Sequence, residues 1–275
     1  MTGSSKIGVF DSGFGGLTVL KALLEVIPRA EYLYFGDTAR LPYGSKSAET
    51  VAKYASEAAR FLEQQGAELL VIACNSATAL ALPQIQESVS LEVVGVVEPG
   101  AQQASAASQK RKVVVIGTEA TISSHVYRSA LAKYDVEAFE KACPLLVPLV
   151  EEGWTDHQVT EQVASIYLQE AFSDGFRSAD VLLLGCTHYP LLKPLLHRVA
   201  PGDVKLVDSA ESTALVVSRL LEKKTQRNDR PPAAGSRSSQ PIRFFVTDST
   251  EKFRRLGKLF LGAPMADVTH VELKE

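Results

Sequence analysis

Along this chain, short apolar runs rich in β-branched residues alternate with longer stretches whose apolar positions repeat at helical spacing. The runs fall at residues 6–10, 31–35, 69–73, 93–97, 113–117, 181–184 and 205–207, and helical patterns occupy 47–65, 158–172 and 209–223. Strands that read as unbroken hydrophobic runs must be covered on both faces, which implies parallel sheets flanked by helices. The pattern therefore predicts an α/β fold. Residues 225–240 contain no Val, Ile, Leu, Met or aromatic side chain and are rich in Arg, Pro and Ser. Such a stretch cannot bury area and is expected to be a mobile surface loop. Beyond it, 242–247 reads as a strand and 250–261 as a helix.

Two pseudo-symmetric lobes fit the pattern better than one. The segment Leu69-Leu-Val-Ile-Ala-Cys74-Asn-Ser-Ala-Thr78 has a counterpart in Val181-Leu-Leu-Leu-Gly-Cys186-Thr-His-Tyr-Pro190. Both place a cysteine and hydroxyl-bearing residues just after a buried strand. The turn Asp11-Ser-Gly-Phe-Gly-Gly16 has a looser echo in Gly117-Thr-Glu-Ala-Thr121. The expected division is a first lobe of 1–97 plus 208–275 and a second of 98–207. A boundary is expected near Glu98-Pro99-Gly100, with a cleft between the lobes.

Composition narrows the function. With 275 residues, 45% hydrophobic and 22% charged, the chain can bury a full core. A net charge of −3 suggests neither a nucleic-acid groove nor a membrane-binding face. No stretch of roughly 18 apolar residues occurs, so no membrane span is expected. The polar residues 1–6 do not resemble an export signal. Three widely spread cysteines argue against a disulfide framework and for a reducing cytoplasm.

In parallel sheets, ligands collect beyond the carboxyl ends of the strands. The residues able to do chemistry cluster at those positions: Asp11, Ser12, Tyr43, Gly44, Cys74, Asn75, Ser76, Thr118, Thr121, Cys186, Thr187 and His188. Free cysteine is most often an inert buried residue, and Cys143 beside Pro144 fits that description. Cys74 and Cys186 differ, because each stands at a strand end, beside side-chain donors and an expected helix start. Such a setting lowers a thiol pKa from about 8.5. If the lobes face each other, the two thiols meet across the cleft.

Phe10-Asp-Ser-Gly-Phe-Gly-Gly16, Phe35-Gly-Asp-Thr-Ala-Arg-Leu-Pro-Tyr-Gly44, Ala73-Cys-Asn75, Pro144-Leu-Leu-Val-Pro148 and Gly185-Cys-Thr-His-Tyr-Pro190 together resemble the glutamate racemases, in that family's order. One departure is Ser76, where the family usually has threonine; the hydroxyl stays and a methyl is lost. The resemblance implies a bilobal, cofactor-independent isomerase that interconverts L- and D-glutamate for peptidoglycan, commonly as a homodimer. It assigns proton transfer to Cys74 and Cys186, with Asp11 and His188 assisting, and by analogy Glu151 orienting His188. It also makes Tyr43 and Gly44 a substrate-binding pair.

The chemistry suits two thiols. Inverting an α-carbon removes a proton from one face and delivers another to the opposite face, so two groups of similar pKa can exchange the roles of base and acid. Ser12, Asn75, Ser76, Thr118, Thr121 and Thr187 could supply donors to charge developing on the substrate carboxylate, although a lone hydroxyl at such a site is more often a helix cap. Gly13-Phe14-Gly15-Gly16 is not Gly-x-Gly-x-x-Gly, so a dinucleotide is not expected. Cys186 and His188 lack a four-ligand set, so no metal is expected. The rival readings are a racemase for aspartate or another amino acid, a non-catalytic amino-acid binding protein, and a thiol–disulfide enzyme. No Cys-x-x-Cys supports the last.

Overall fold

A computed structural model describes residues 5–173, 175–227 and 242–273. Its strands are β1 (Lys6–Asp11), β2 (Glu31–Gly36), β3 (Leu69–Ile72), β4 (Glu92–Gly95), β5 (Lys112–Gly117), β6 (Glu137–Ala142), β7 (Val181–Gly185), β8 (Lys205–Asp208), β9 (Ile242–Val246) and β10 (Val268–His270). They form two sheets, in the orders β10-β9-β2-β1-β3-β4 and β6-β5-β7-β8, and every described pairing is parallel. The order β2-β1-β3-β4 in the first sheet repeats as β6-β5-β7-β8 in the second. That repetition gives the sequence echo a structural meaning: the cysteine segments follow β3 and β7, and the two turns follow β1 and β5.

Burial explains why these runs are strands. β3 and β7 are buried at every position. Removing each such Val or Leu from water is worth about 1.5–3 kcal/mol, and β-branched residues pack well on a pleated surface. Helices cover both faces, as parallel strands require. The helix Ala48–Gln64 buries Val51, Ala55, Ala58, Ala59 and Leu62 on one side, and Ser47 caps it by accepting from Thr50 N.

Register brings the chemistry to the sheet edges. Phe10 pairs with Ile72 between β1 and β3, so Asp11 and Cys74 leave the sheet on the same edge. Gly117 pairs with Gly185 between β5 and β7, so Thr118 and Cys186 leave theirs together. In each sheet these two strands mark the point where strand order reverses, which is where α/β sheets open a crevice.

Local details add to the pattern. Glu98-Pro99-Gly100, near which a lobe boundary is expected, lies in the first turn of the helix Val97–Ala107. β6 and β10 were not foreseen. Of the stretch 225–240, residues 225–227 complete the helix Ser209–Arg227, and 228–240 lie outside the described residues. Among the described residues, no helix is long and apolar enough to cross a membrane.

Candidate active site

A cavity of about 230 Å³ takes its walls from the carboxyl ends of both sheets. Cys74, Asn75 and Ser76 enter it from the loop and helix after β3, and Ser12 from the turn after β1. Tyr43 and Gly44 come from the short 3-10 turn that follows β2. The second sheet contributes Thr118 after β5, and Cys186, Thr187 and His188 after β7. Asp11, Thr121 and Glu151 do not line the cavity; they stand behind those that do.

Glycine permits the close approach of the two halves. A Cβ on Gly15 would lie 2.2 Å from Thr187 Oγ1 and 2.5 Å from His188 Nδ1. One on Gly44 would lie 2.9 Å from Thr118 Cβ. Nearby, Thr18 Oγ1 donates to the carbonyl of Thr187 at 3.0 Å, tying the helix Leu17–Val26 to the loop that carries Cys186.

Cys74 is the N-cap of the helix Asn75–Ser88, and its sulfur accepts from Ala77 N at 3.5 Å. Its thiol lies 3.5 Å from Ser12 Oγ. The expectation of a depressed pKa is overturned here. Burial, reinforced by the Asp11 carboxylate, pushes the Cys74 thiol up to about 12, and the bonds from Ser12 and Ala77 N do not offset it. Desolvation of a charged sulfur outweighs a helix start. Asp11 itself is raised by burial, against the opposing charge of His188. One of its oxygens accepts from Gly13 N at 2.8 Å, whereas Oδ1 is buried without a partner among the described residues.

Around Cys186 the arrangement is a relay. Its sulfur lies 3.9 Å from His188 Nδ1, and His188 Nε2 lies 3.1 Å from Glu151 Oε1. Burial opposes charge on the ring, but bonds to Cys186 and Glu151 outweigh it and raise His188 to about 10. Instead of the expected helix start, Cys186 precedes a 3-10 turn, Tyr189–Leu192, and only then the helix Lys193–Val199.

Hydroxyls gather where the halves meet. Ser76 Oγ is 2.9 Å from Thr118 Oγ1 and 3.3 Å from Thr121 Oγ1, and these two threonines are 3.0 Å apart. Thr118 also caps the helix Glu119–Ser123. Tyr43 is held by its hydroxyl, which donates to Asp37 Oδ2 at 2.6 Å, while Thr247 Oγ1 donates to the other Asp37 oxygen at 2.8 Å. Cys143 is fully buried and does not line the cavity.

Several wall residues escaped sequence reasoning: Pro42, Ser45, Glu119, Pro144, Val147 and Pro148. All but Ser45 lie within the quoted segments, which is the available signal. Tyr127, which donates to Asn75 Oδ1 at 2.6 Å, had none. Among the described residues, no three His, Cys, Asp or Glu side chains gather as metal ligands would.

Comparison with known proteins places this geometry. The sequence pattern described as Asp/Glu/Hydantoin racemase matches residues 7–217. The chain belongs to the Asp/Glu/hydantoin racemase family. Within that racemase family, it is 59% identical to the glutamate racemase of Koribacter versatilis over 97% of each chain. The crystal structure of the Thermus thermophilus glutamate racemase in complex with β-chloro-D-alanine superposes with a TM-score of 0.85 at 46% identity, over 98% of each chain. The Francisella tularensis glutamate racemase in complex with D-glutamate gives a TM-score of 0.86 at 36% identity, also over 98% of each. The two parallel sheets flanked by helices are thus those of the racemase fold.

Proposed function

We propose that this chain is a glutamate racemase that inverts the substrate α-carbon with Cys74 on one face and Cys186 on the other. The observation that carries the reading is a single cavity taking one cysteine from each of two sheets of matching strand order, at equivalent strand ends. Full-length similarity to glutamate racemases supports glutamate as the substrate.

One thiolate takes the α-proton while the opposite thiol delivers a proton to the other face, and the roles reverse with direction. Burial keeps the proton on Cys74, so acting as a base requires an acceptor, and Asp11 with its unpartnered oxygen suits that role. With its pKa raised to about 10, His188 holds the proton that Cys186 gives up and can return it, steadied by Glu151. General acid–base catalysis supplies only about 10²–10⁴-fold. The weakly acidic α-proton therefore also needs donors aimed at charge building on the carboxylate, each commonly worth about 10²–10³-fold. Ser12, Asn75, Ser76, Thr118 and Thr187 face the cavity and fit that task, Thr121 backs two of them, and Tyr43 with Gly44 forms the side wall.

The reading extends to two lobes, 1–97 with 208–275 and 98–207, closing on glutamate. It further assigns a cytoplasmic role supplying D-glutamate for peptidoglycan, as a homodimer; these rest on the family resemblance. The test is substitution of each thiol. Cys74→Ala and Cys186→Ala should each abolish racemisation with unfolding temperature preserved. Substantial turnover by either variant contradicts the mechanism.

A further inference from the structure

We propose that Tyr127 is a positioning residue, which fixes the Asn75 carboxamide so that its NH2 group, and not its oxygen, is presented to a substrate carboxylate. The inference rests on the reading of the cavity as a glutamate site and adds to it a residue that lies outside the cavity wall.

A carboxamide has a donor end and an acceptor end of nearly the same shape, and only its partners decide which faces a ligand. Asn75 lines the cavity and is almost fully buried, and its Nδ2 has no partner among the described residues. Leaving a buried donor unsatisfied costs about 1–3 kcal/mol. A ligand acceptor would remove that penalty. Its Oδ1, by contrast, is engaged by the hydroxyl of Tyr127 at 2.6 Å.

The direction of that bond follows from what surrounds the phenol. Tyr127 is fully buried, and burial holds its hydroxyl protonated far above the ordinary range. The ring has little freedom to swing away: a Cβ on Gly185 would lie 2.9 Å from Tyr127 Cε2, and one on Gly100 would lie 3.5 Å from its hydroxyl oxygen. The side chain of Ser209, at the start of the helix Ser209–Arg227, also hydrogen-bonds the phenol and opposes the rise in its pKa. The phenol's one proton goes to Asn75 Oδ1, 2.6 Å away. Reversing the amide would set its NH2 against Tyr127 and point Oδ1 at the substrate carboxylate, acceptor against acceptor.

The bond also crosses between the halves. Asn75 begins the helix after β3 of the first sheet, and Tyr127 sits on Val126–Ala132, after β5 of the second. The donor presented by one half is thus set by the other, and it is correctly aimed only while the halves are together.

The experiment measures kcat and KM for both glutamate enantiomers in Tyr127→Phe, Asn75→Ala and the double variant. Tyr127→Phe should raise KM by about tenfold, the scale of a hydrogen bond to a charged group, with kcat changed less. In the Asn75→Ala background the same substitution should raise KM less than about twofold, because the amide it orients is gone. Ser209→Ala, which leaves the ring packing intact, should raise KM in the same direction by a smaller factor, and it carries the test if Tyr127→Phe fails to fold. An unchanged KM in Tyr127→Phe, or the full rise persisting without Asn75, overturns the inference. Failure of the unaltered chain to racemise glutamate instead overturns the functional reading.

Discussion

Glu151 Oε1 and His188 Nε2 lie 3.1 Å apart, and the other ring nitrogen of His188 faces Cys186 at 3.9 Å. Burial works against charge on this ring, yet its neighbours hold its pKa at about 10, above the ordinary value of about 6.5. A histidine whose folded pKa is raised adds stability that is complete below the unfolded value and is lost as pH climbs through the folded one. The unfolding temperature should therefore fall between about pH 6.5 and pH 10. In Glu151→Gln that fall should be shallower and racemisation slower. An identical pH dependence in the variant would remove Glu151 from the relay.

Cys74 should hold its proton at neutral pH unless substrate is bound. With the thiol pushed up to about 12 by burial and the Asp11 charge, its alkylation by iodoacetamide, followed by mass spectrometry, should accelerate only in strong alkali. Asp11→Asn removes the adjacent carboxylate, so the midpoint should move down toward the ordinary thiol value of about 8.5. Racemisation should nevertheless fall, because the proton acceptor is lost. A midpoint that stays or rises would separate Asp11 from Cys74.

The contact of Gly15 with Thr187 and His188 makes it sensitive to a single methyl. Gly15→Ala must displace the loop carrying Cys186, since its Cβ would overlap both side chains. Overpacking of this kind typically costs about 1–3 kcal/mol. Misplacement by about 1 Å at a reacting centre can cost roughly 10²-fold in rate. Turnover should drop by about that factor, far beyond the loss of folded protein measured by denaturation. Near-normal kinetics would mean that the two halves do not approach this closely in solution.

Much of this fold was legible because its parallel strands are buried on both faces and leave unbroken apolar runs; the runs at 6–10, 31–35 and 181–184 lie within β1, β2 and β7. β6 was not legible. It is an edge strand of sequence Glu-Ala-Phe-Glu-Lys-Ala, only partly buried, so no hydrophobic run marks it. β10 spans three residues, too few for any period. Val97 read as strand yet begins a helix, since packing overrides a weak intrinsic preference. The candidate site was readable as strand-end residues, but distances across the halves were not. Tyr127 and Asn75 are 52 positions apart, and only tertiary structure brings them together. The raised pKa of Cys74 is hidden for the same reason: the sequence displays its helix start and conceals its burial.

The isotopic fate of the α-proton separates two opposed thiols from a single base most directly. Each glutamate enantiomer would be incubated with the enzyme in heavy water, and both enantiomers analysed for α-deuterium before a few percent has converted. Opposed thiols predict a product that carries deuterium from the first turnovers while the remaining substrate keeps its hydrogen, in both directions. Product retaining the original hydrogen, or substrate exchanging faster than product forms, would contradict the account.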